Sequence, residues 1–397
     1  HLKDFDATIE TYRKALAINP DYADAYNNMG VALKEQGKLE EAIEAYNKAL
    51  AIKPNNAEAD NNVGVTLQEQ GKLGEAIEAY KKVLTIKPDY AEAMENSQDL
   101  AVQLLPITAN YGYDFDTSEE QVNPEFAIRP KYQTQKVIKA YLEGDFSLAN
   151  SHNNNFKACD QNLVDSLKPK DKIFCNAYSS FIGKLLDAKR DEEPASENIL
   201  YHLGESHCLS YAHLNVTAAG LNCRIEPRIT FGAKAFHFSR LKYDAFKAIT
   251  EAHFASLPKN SKVFLSYGEI DCRPNEGFIS AARKLDKPLD ELIDHTISGY
   301  VEWFLEQNKG KGHHLYFLNV PAPVYDEQLT TDLNSEVART VELFNAALKK
   351  YSFQHGFDTV DVFKFTARKE GFSNGLFHID KYHVGAKPIA EIEQQLS

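Results

Sequence analysis

The chain has 397 residues, 43% of them hydrophobic and 25% charged, with a formal net charge of −13. At roughly 100–200 residues per domain it is expected to hold two or three domains of the soluble globular kind. The acidic balance excludes a nonspecific nucleic-acid binder, which needs a basic surface to neutralise phosphates, and no apolar run approaches the ~20 residues that cross a bilayer.

The first residues, "HLKDFDATIE", carry acids where a secretory signal carries bases and then an apolar stretch. The chain begins with histidine, inside a repeat, so an upstream N-terminus with its own targeting signal stays open. The five cysteines (Cys159, Cys175, Cys208, Cys223 and Cys272) show no CxxC pair or other zinc-ligand spacing. A reduced, cytoplasmic setting is expected, with no metal and no cofactor.

The first hundred residues repeat. "DAYNNMGVALKEQGKLEEAIEAYNKALAIKP" ends at Pro54 and "EADNNVGVTLQEQGKLGEAIEAYKKVLTIKP" at Pro88, an offset of 34 residues that carries Gly30 onto Gly64, Ala42 onto Ala76 and Tyr46 onto Tyr80. Small residues at Gly30 and Ala42 let paired helices approach, Gly37 suits the turn, and the prolines end each unit. This resembles the tetratricopeptide repeat, whose units bury their apolar faces only by stacking. Phe5 to Pro20 matches the second half of a unit, and the stretch after Pro88, with Gln98 in the glycine position, suits a terminal capping helix. Asn28, Asn62 and Asn96 recur at the same interval. The resemblance implies that such amides line an inner groove and bind the main chain of a protein or peptide partner; hydrogen bonding to neighbouring helices or water is the equal alternative.

Between 106 and 196 the repeat is lost. "PITANYGYDFDTSEEQVNPEF" reads as a polar connector, Lys131 to Leu142 and Ile173 to Leu186 as helices, and "DAKRDEEPASEN" as a charged loop. The region is left unassigned between a repeat domain at 1–105 and a second domain at 197–397.

Beyond Glu197, short apolar runs alternate with helical stretches. "NILYHLG", "CRIEPRITF", "KVFLSYG", "HHLYFLNV" and "FDTVDVF" are predicted strands, and Tyr243–Ser256, Leu289–Gln307 and Asn334–Tyr351 predicted helices. This predicts a parallel sheet covered by helices, with ligands beyond the carboxyl ends of the strands. At those ends stand "GESHCLS", "TFGAKAF" and "GEIDCRPN", and "FHIDKYHVG" precedes a final helix. In this order they resemble the four sequence blocks of SGNH (GDSL-like) hydrolases, esterases and acyl hydrolases of α/β flavodoxin-like, three-layer fold.

The resemblance implies that Ser206 is the nucleophile, His383 its general base and Asp380 the carboxylate that orients the imidazole. It implies oxyanion donors at the backbone N–H groups of Ser206 and Gly232. The family's third donor is an asparagine, and Ile270 stands in its place here; Arg273 or Asn275 is the expected substitute. Glu205 replaces the usual aspartate of the first block, with no expected effect on the nucleophile. Taken singly, each residue has a plainer reading. Ser206 suits a helix cap, His202, His207 and His378 compete for the role of base, Asp271 and Glu269 suit structural hydrogen bonding, and Trp303 suits the core. The expected function is hydrolysis of a small acyl ester, such as acetyl on a glycan, with the repeats docking a partner or substrate. The alternatives are an O-acyltransferase using the same nucleophile, a metal-dependent esterase, and a repeat adaptor with an inactive hydrolase-like domain.

Overall fold

The computed structural model describes residues 5–108, 128–188 and 196–396. The charged loop at 189–195 and the connector from 109 to 126 lie outside the described residues. The described residues of 1–102, 106–128 and 243–249 form one compact unit, and those of 103–105, 129–242 and 250–397 form another.

The first unit is built of antiparallel helix pairs: α1 (Phe5–Ile18), α2 (Ala23–Glu35), α3 (Leu39–Ile52), α4 (Ala57–Glu69), α5 (Leu73–Ile86) and α6 (Ala91–Gln103). A β-carbon on Gly30 would stand 2.5 Å from the Tyr46 ring, and one on Gly64 would stand 2.6 Å from the Tyr80 ring. Only a residue without a side chain leaves room for a wholly buried tyrosine at this helix crossing. Ile9, Ala32, Leu33, Ala42, Ala45 and Tyr46 form one such core.

The second unit carries a six-stranded sheet in the order β2-β3-β1-β4-β5-β6, formed by β1 (Ile199–Gly204), β2 (Asn215–Ala218), β3 (Leu221–Ile229), β4 (Lys262–Ser266), β5 (His314–Leu318) and β6 (Asp358–Val360). All pairings are parallel except the β2–β3 hairpin. Leu200, Ile225, Phe264, Tyr316 and Val360, one from each parallel strand, share a buried cluster, as expected where strands read as near-continuous apolar runs. The edge strand β2 has no counterpart among the predicted strands; it is four residues long and only half buried.

The helices at Pro130–Leu142 and Pro169–Asp187 begin at prolines, one and four residues before the predicted starts, because proline suits the first helical position. Between them lies an unpredicted helix, Phe146–Lys157, rich in asparagine. Asp145 caps it through the Leu148 N–H, and Asn153 buries its amide against Ser179 of the following long helix. Weak intrinsic propensity is overridden here by a cap and by packing. These helices belong to the same unit as the sheet.

Among the described residues no helix is long and apolar enough to cross a membrane. All five cysteines are free, four of them buried.

Candidate active site

Parallel register aligns the ends of three strands: Gly204 of β1 pairs with Ile229 of β3 and with Ser266 of β4. The residues that follow, 205–206, 230–232 and 267–271, therefore emerge at one edge of the sheet. Gly204 is needed there, since a β-carbon would lie 2.3 Å from Ser266 Oγ and 3.0 Å from the Ser266 carbonyl oxygen. The chain then turns into a short 3-10 helix, Ser206–Leu209, that has no side-chain cap.

Ser206 Oγ instead lies 2.8 Å from His383 Nε2, across 177 positions of sequence. His383 Nδ1 lies 2.9 Å from Asp380 Oδ2. Asp380 Oδ1 also accepts the backbone N–H groups of Tyr382 and His383, each at 2.8 Å. The three-residue spacing thus lets one carboxylate close the turn and orient the imidazole it carries. Burial alone would raise the Asp380 carboxyl, but the His383 bond and charge and the two N–H groups hold it well below the ordinary carboxylate range. Ser206 and His383 are 9% and 7% exposed, so both side chains are largely withdrawn from solvent.

Glu205 also bears directly on Ser206. Its Oε2 accepts the Ser206 hydroxyl, and its Oε1 pairs with His207 Nδ1. His207 Nε2 in turn reaches the Tyr382 carbonyl oxygen at 3.0 Å. The expectation that Glu205 leaves the nucleophile unaffected is corrected: one serine proton faces two acceptors, the carboxylate and the His383 imidazole. Burial works to raise the Glu205 carboxyl, yet His207 and the serine bond together bring it below the ordinary value. Burial likewise opposes charge on His207, and Glu205 overcomes it, raising the imidazole. This is a buried ion pair beside the serine.

The other histidines face elsewhere. His202 Nε2 meets Ser266 Oγ at 2.8 Å, and burial lowers its pKa to about 3, which keeps it neutral. His378 Nδ1 meets Ser373 Oγ at 2.8 Å.

Of the expected oxyanion donors, Gly232 lies on an exposed turn with φ of 67°. Neither its N–H nor that of Ser206 has a partner among the described residues. Arg273 does not serve as the substitute donor. Its guanidinium is spent on Glu269, at 2.6 Å and twice at 3.0 Å, and on Glu276 at 3.1 Å, with its plane over the Tyr382 ring. Two carboxylates and an aromatic face outcompete a transient oxyanion for these N–H groups. Asn275 lies exposed in the turn after it and makes no hydrogen bond to the described residues.

Asp271 is a structural acceptor: its carboxylate takes the N–H groups of Ala235, at 2.7 Å, and Phe236, at 3.4 Å, tying the second loop to the third. Burial raises its pKa to about 7 despite those bonds. Trp303 packs between Phe238 and Phe304.

Donor atoms of Glu205, His207 and Glu269 lie within 4.8 Å of one another. A cation there would have to displace the charged His207 from Glu205 and Arg273 from Glu269, so the set is poorly suited to a metal.

The helix Pro169–Asp187 supplies what sequence reading missed. Phe181 stacks on the His383 ring at 3.9 Å between centroids and 19° between planes. Phe174, Tyr178 and Phe231 form a mutually packed trio, with centroids 4.8 to 5.3 Å apart. The apolar spacing of this helix was visible, but nothing in it pointed to His383.

In the repeat unit, Asn62 Nδ2 donates to Asn27 Oδ1 at 3.0 Å and Asn96 Nδ2 to Asn61 Oδ1 at 3.4 Å, while Asn27 donates to Glu58 at 2.9 Å. Two of the three groove amides are thus engaged with neighbouring helices; Asn28 is exposed.

Residues 23–56 match the family model for the tetratricopeptide repeat, and residues 2–37 and 66–96 match a second TPR repeat model. The N-terminal region is a tetratricopeptide repeat array, a fold that engages protein or peptide partners. Among solved structures, the chain is similar to a tetratricopeptide repeat protein from Parabacteroides merdae, with 20% identity and a TM-score of 0.35, covering 48% of this chain and 75% of that one. It is similar to YrrB, a TPR protein with an unusual peptide-binding site, with 18% identity and a TM-score of 0.29, covering 44% and 93%. It is also similar to phospholipase A1 from Streptomyces albidoflavus NA297, with 13% identity and a TM-score of 0.33, covering 51% and 100%. Comparison with curated proteins gave no match.

Proposed function

We propose that the sheet-bearing unit is a serine acyl-ester hydrolase of the SGNH type, and that the repeat array docks a protein partner or a macromolecular substrate. The observation that carries this reading is the hydrogen-bonded series Ser206 Oγ, His383 Nε2, His383 Nδ1, Asp380, with links of 2.8 and 2.9 Å. The strand order adds support: the five parallel strands run second, first, third, fourth, fifth, the flavodoxin-like order, with the serine following the first.

In the proposed cycle Ser206 Oγ attacks the ester carbonyl as its proton passes to His383 Nε2, and Asp380 steadies the imidazolium. The carbonyl electron pair moves onto oxygen, which the N–H groups of Ser206 and Gly232 stabilise. On collapse, His383 returns the proton to the leaving alkoxide and an acyl-serine remains. Water, or a sugar hydroxyl in a transferase, then attacks by the same steps in reverse roles. A base so oriented contributes about 10²- to 10⁴-fold in rate. The substrate read from sequence, a small acyl ester such as an acetylated glycan, belongs to this proposal.

Covalent labelling with a fluorophosphonate probe tests it. The wild type should label and Ser206→Ala should not. Labelling that persists in Ser206→Ala, or never occurs in folded protein, refutes the hydrolase and favours the repeat adaptor.

A further inference from the structure

The candidate oxyanion site lacks its third donor. Ile270 is buried and its side chain has no polar hydrogen, Arg273 is held by Glu269, and Asn275 faces solvent. One phenol is well placed. Tyr178 sits three residues before Phe181 on the helix Pro169–Asp187, so the two rings share a face. Phe181 lies flat on the His383 imidazole. Tyr178 itself packs edge-on against Phe231, the residue before Gly232, at 5.3 Å, and Phe174 completes the trio. The Tyr178 ring is thereby held against the residue before Gly232, on the helix that also covers the base.

Its hydroxyl has no hydrogen-bond partner among the described residues, although the side chain is half-buried. Unlike the hydroxyls of Tyr46 and Tyr132, it is not closed off inside the protein, so it stays open to a bound ester. Burial, with the nearby Glu205 carboxylate, keeps the phenol well above its ordinary pKa, so it remains a donor.

We propose that Tyr178 donates its O–H to the oxyanion formed at Ser206, in the role that Ile270 cannot fill. This rests on the hydrolase reading above. The phenol keeps its proton throughout: its hydrogen bond tightens as negative charge gathers on the carbonyl oxygen and relaxes on collapse to the acyl-serine.

The test uses the full chain, p-nitrophenyl acetate turnover and the rate of fluorophosphonate labelling. Tyr178→Phe keeps the ring and removes only the hydroxyl. We expect kcat to fall about 10²-fold with KM within about threefold, and the melting temperature to stay unchanged. Phe174→Leu, which loosens the same trio without touching the hydroxyl, should retain most of the turnover; equal losses in the two variants would reduce Tyr178 to packing. Wild type that labels at Ser206, with Tyr178→Phe equal to it in labelling rate and kcat, overturns the role of Tyr178 alone. Wild type that neither turns over nor labels overturns the hydrolase reading itself.

Discussion

Glu205 and His383 converge on one atom, the Ser206 hydroxyl oxygen: the carboxylate accepts its proton while His383 Nε2 stands 2.8 Å away. Two bases therefore contend for one proton, and Glu205 is itself tied to His207. For the serine to attack, its proton must face His383, whose other nitrogen is held by Asp380, rather than the carboxylate beside it. The adjacent acid is thus part of the setting of Ser206, the proposed nucleophile.

His383→Ala should lower kcat about 10²- to 10⁴-fold, and Asp380→Asn should cost on the order of 10⁴-fold, because an amide no longer selects the productive imidazole tautomer. KM should move little in either. Steady-state kinetics on a short-chain aryl ester decides this, and a fall in kcat/KM carried wholly by KM would contradict it.

The Glu205–His207 pair predicts a stability optimum. Glu205 is lowered, so its contribution is present above the ordinary carboxyl value and is lost as pH falls through its own lower one. His207 is raised, so its contribution is present below the ordinary imidazole value and is lost as pH rises through its own higher one. Both are intact between 4.5 and 6.5. Melting temperature against pH should show this plateau, and Glu205→Gln should flatten both shoulders.

Arg273→Ala should destabilise rather than selectively slow turnover. The substitution leaves the mostly buried Glu269 carboxylate without its partner. Removing one member of a buried pair costs up to about 3–5 kcal/mol, and the partial exposure of Arg273 argues for the lower half of that or less. Urea unfolding of the full chain, read beside kcat, separates the two effects; a kcat loss at unchanged stability would restore Arg273 as a donor.

Gly30→Ala tests the repeat packing. Alanine gains about 1 kcal/mol of helix propensity, but its β-carbon would meet the Tyr46 ring at 2.5 Å. Overpacking costs about 1–3 kcal/mol, so the net effect should be destabilising by circular dichroism melting. A more stable variant would mean that the ring can move aside.

The repeat array was legible in the sequence because its contacts are local and recur: a period of 34 returns each glycine to its tyrosine, Gly30 to Tyr46 and Gly64 to Tyr80. The parallel strands were legible too, since burial on both faces writes itself as unbroken apolar runs such as "LYFL" of β5. The asparagine-rich helix at Phe146–Lys157 and the short edge strand β2 were not, because a cap and tertiary packing, rather than periodicity, hold them.

Within the candidate site, sequence offered residue types and order, while proximity belonged to the fold alone. Nothing in the string "GESHCLS" says that Glu205 leans onto Ser206, and nothing in "DKIFCNAYSSFIGKLL" says that Phe181 covers His383 or that Tyr178 sits beside Phe231. Patterns along a chain record which face of an element is buried. Which atoms meet across two hundred residues depends on how strand register and helix packing bring the ends of distant segments together, and that is decided only in three dimensions.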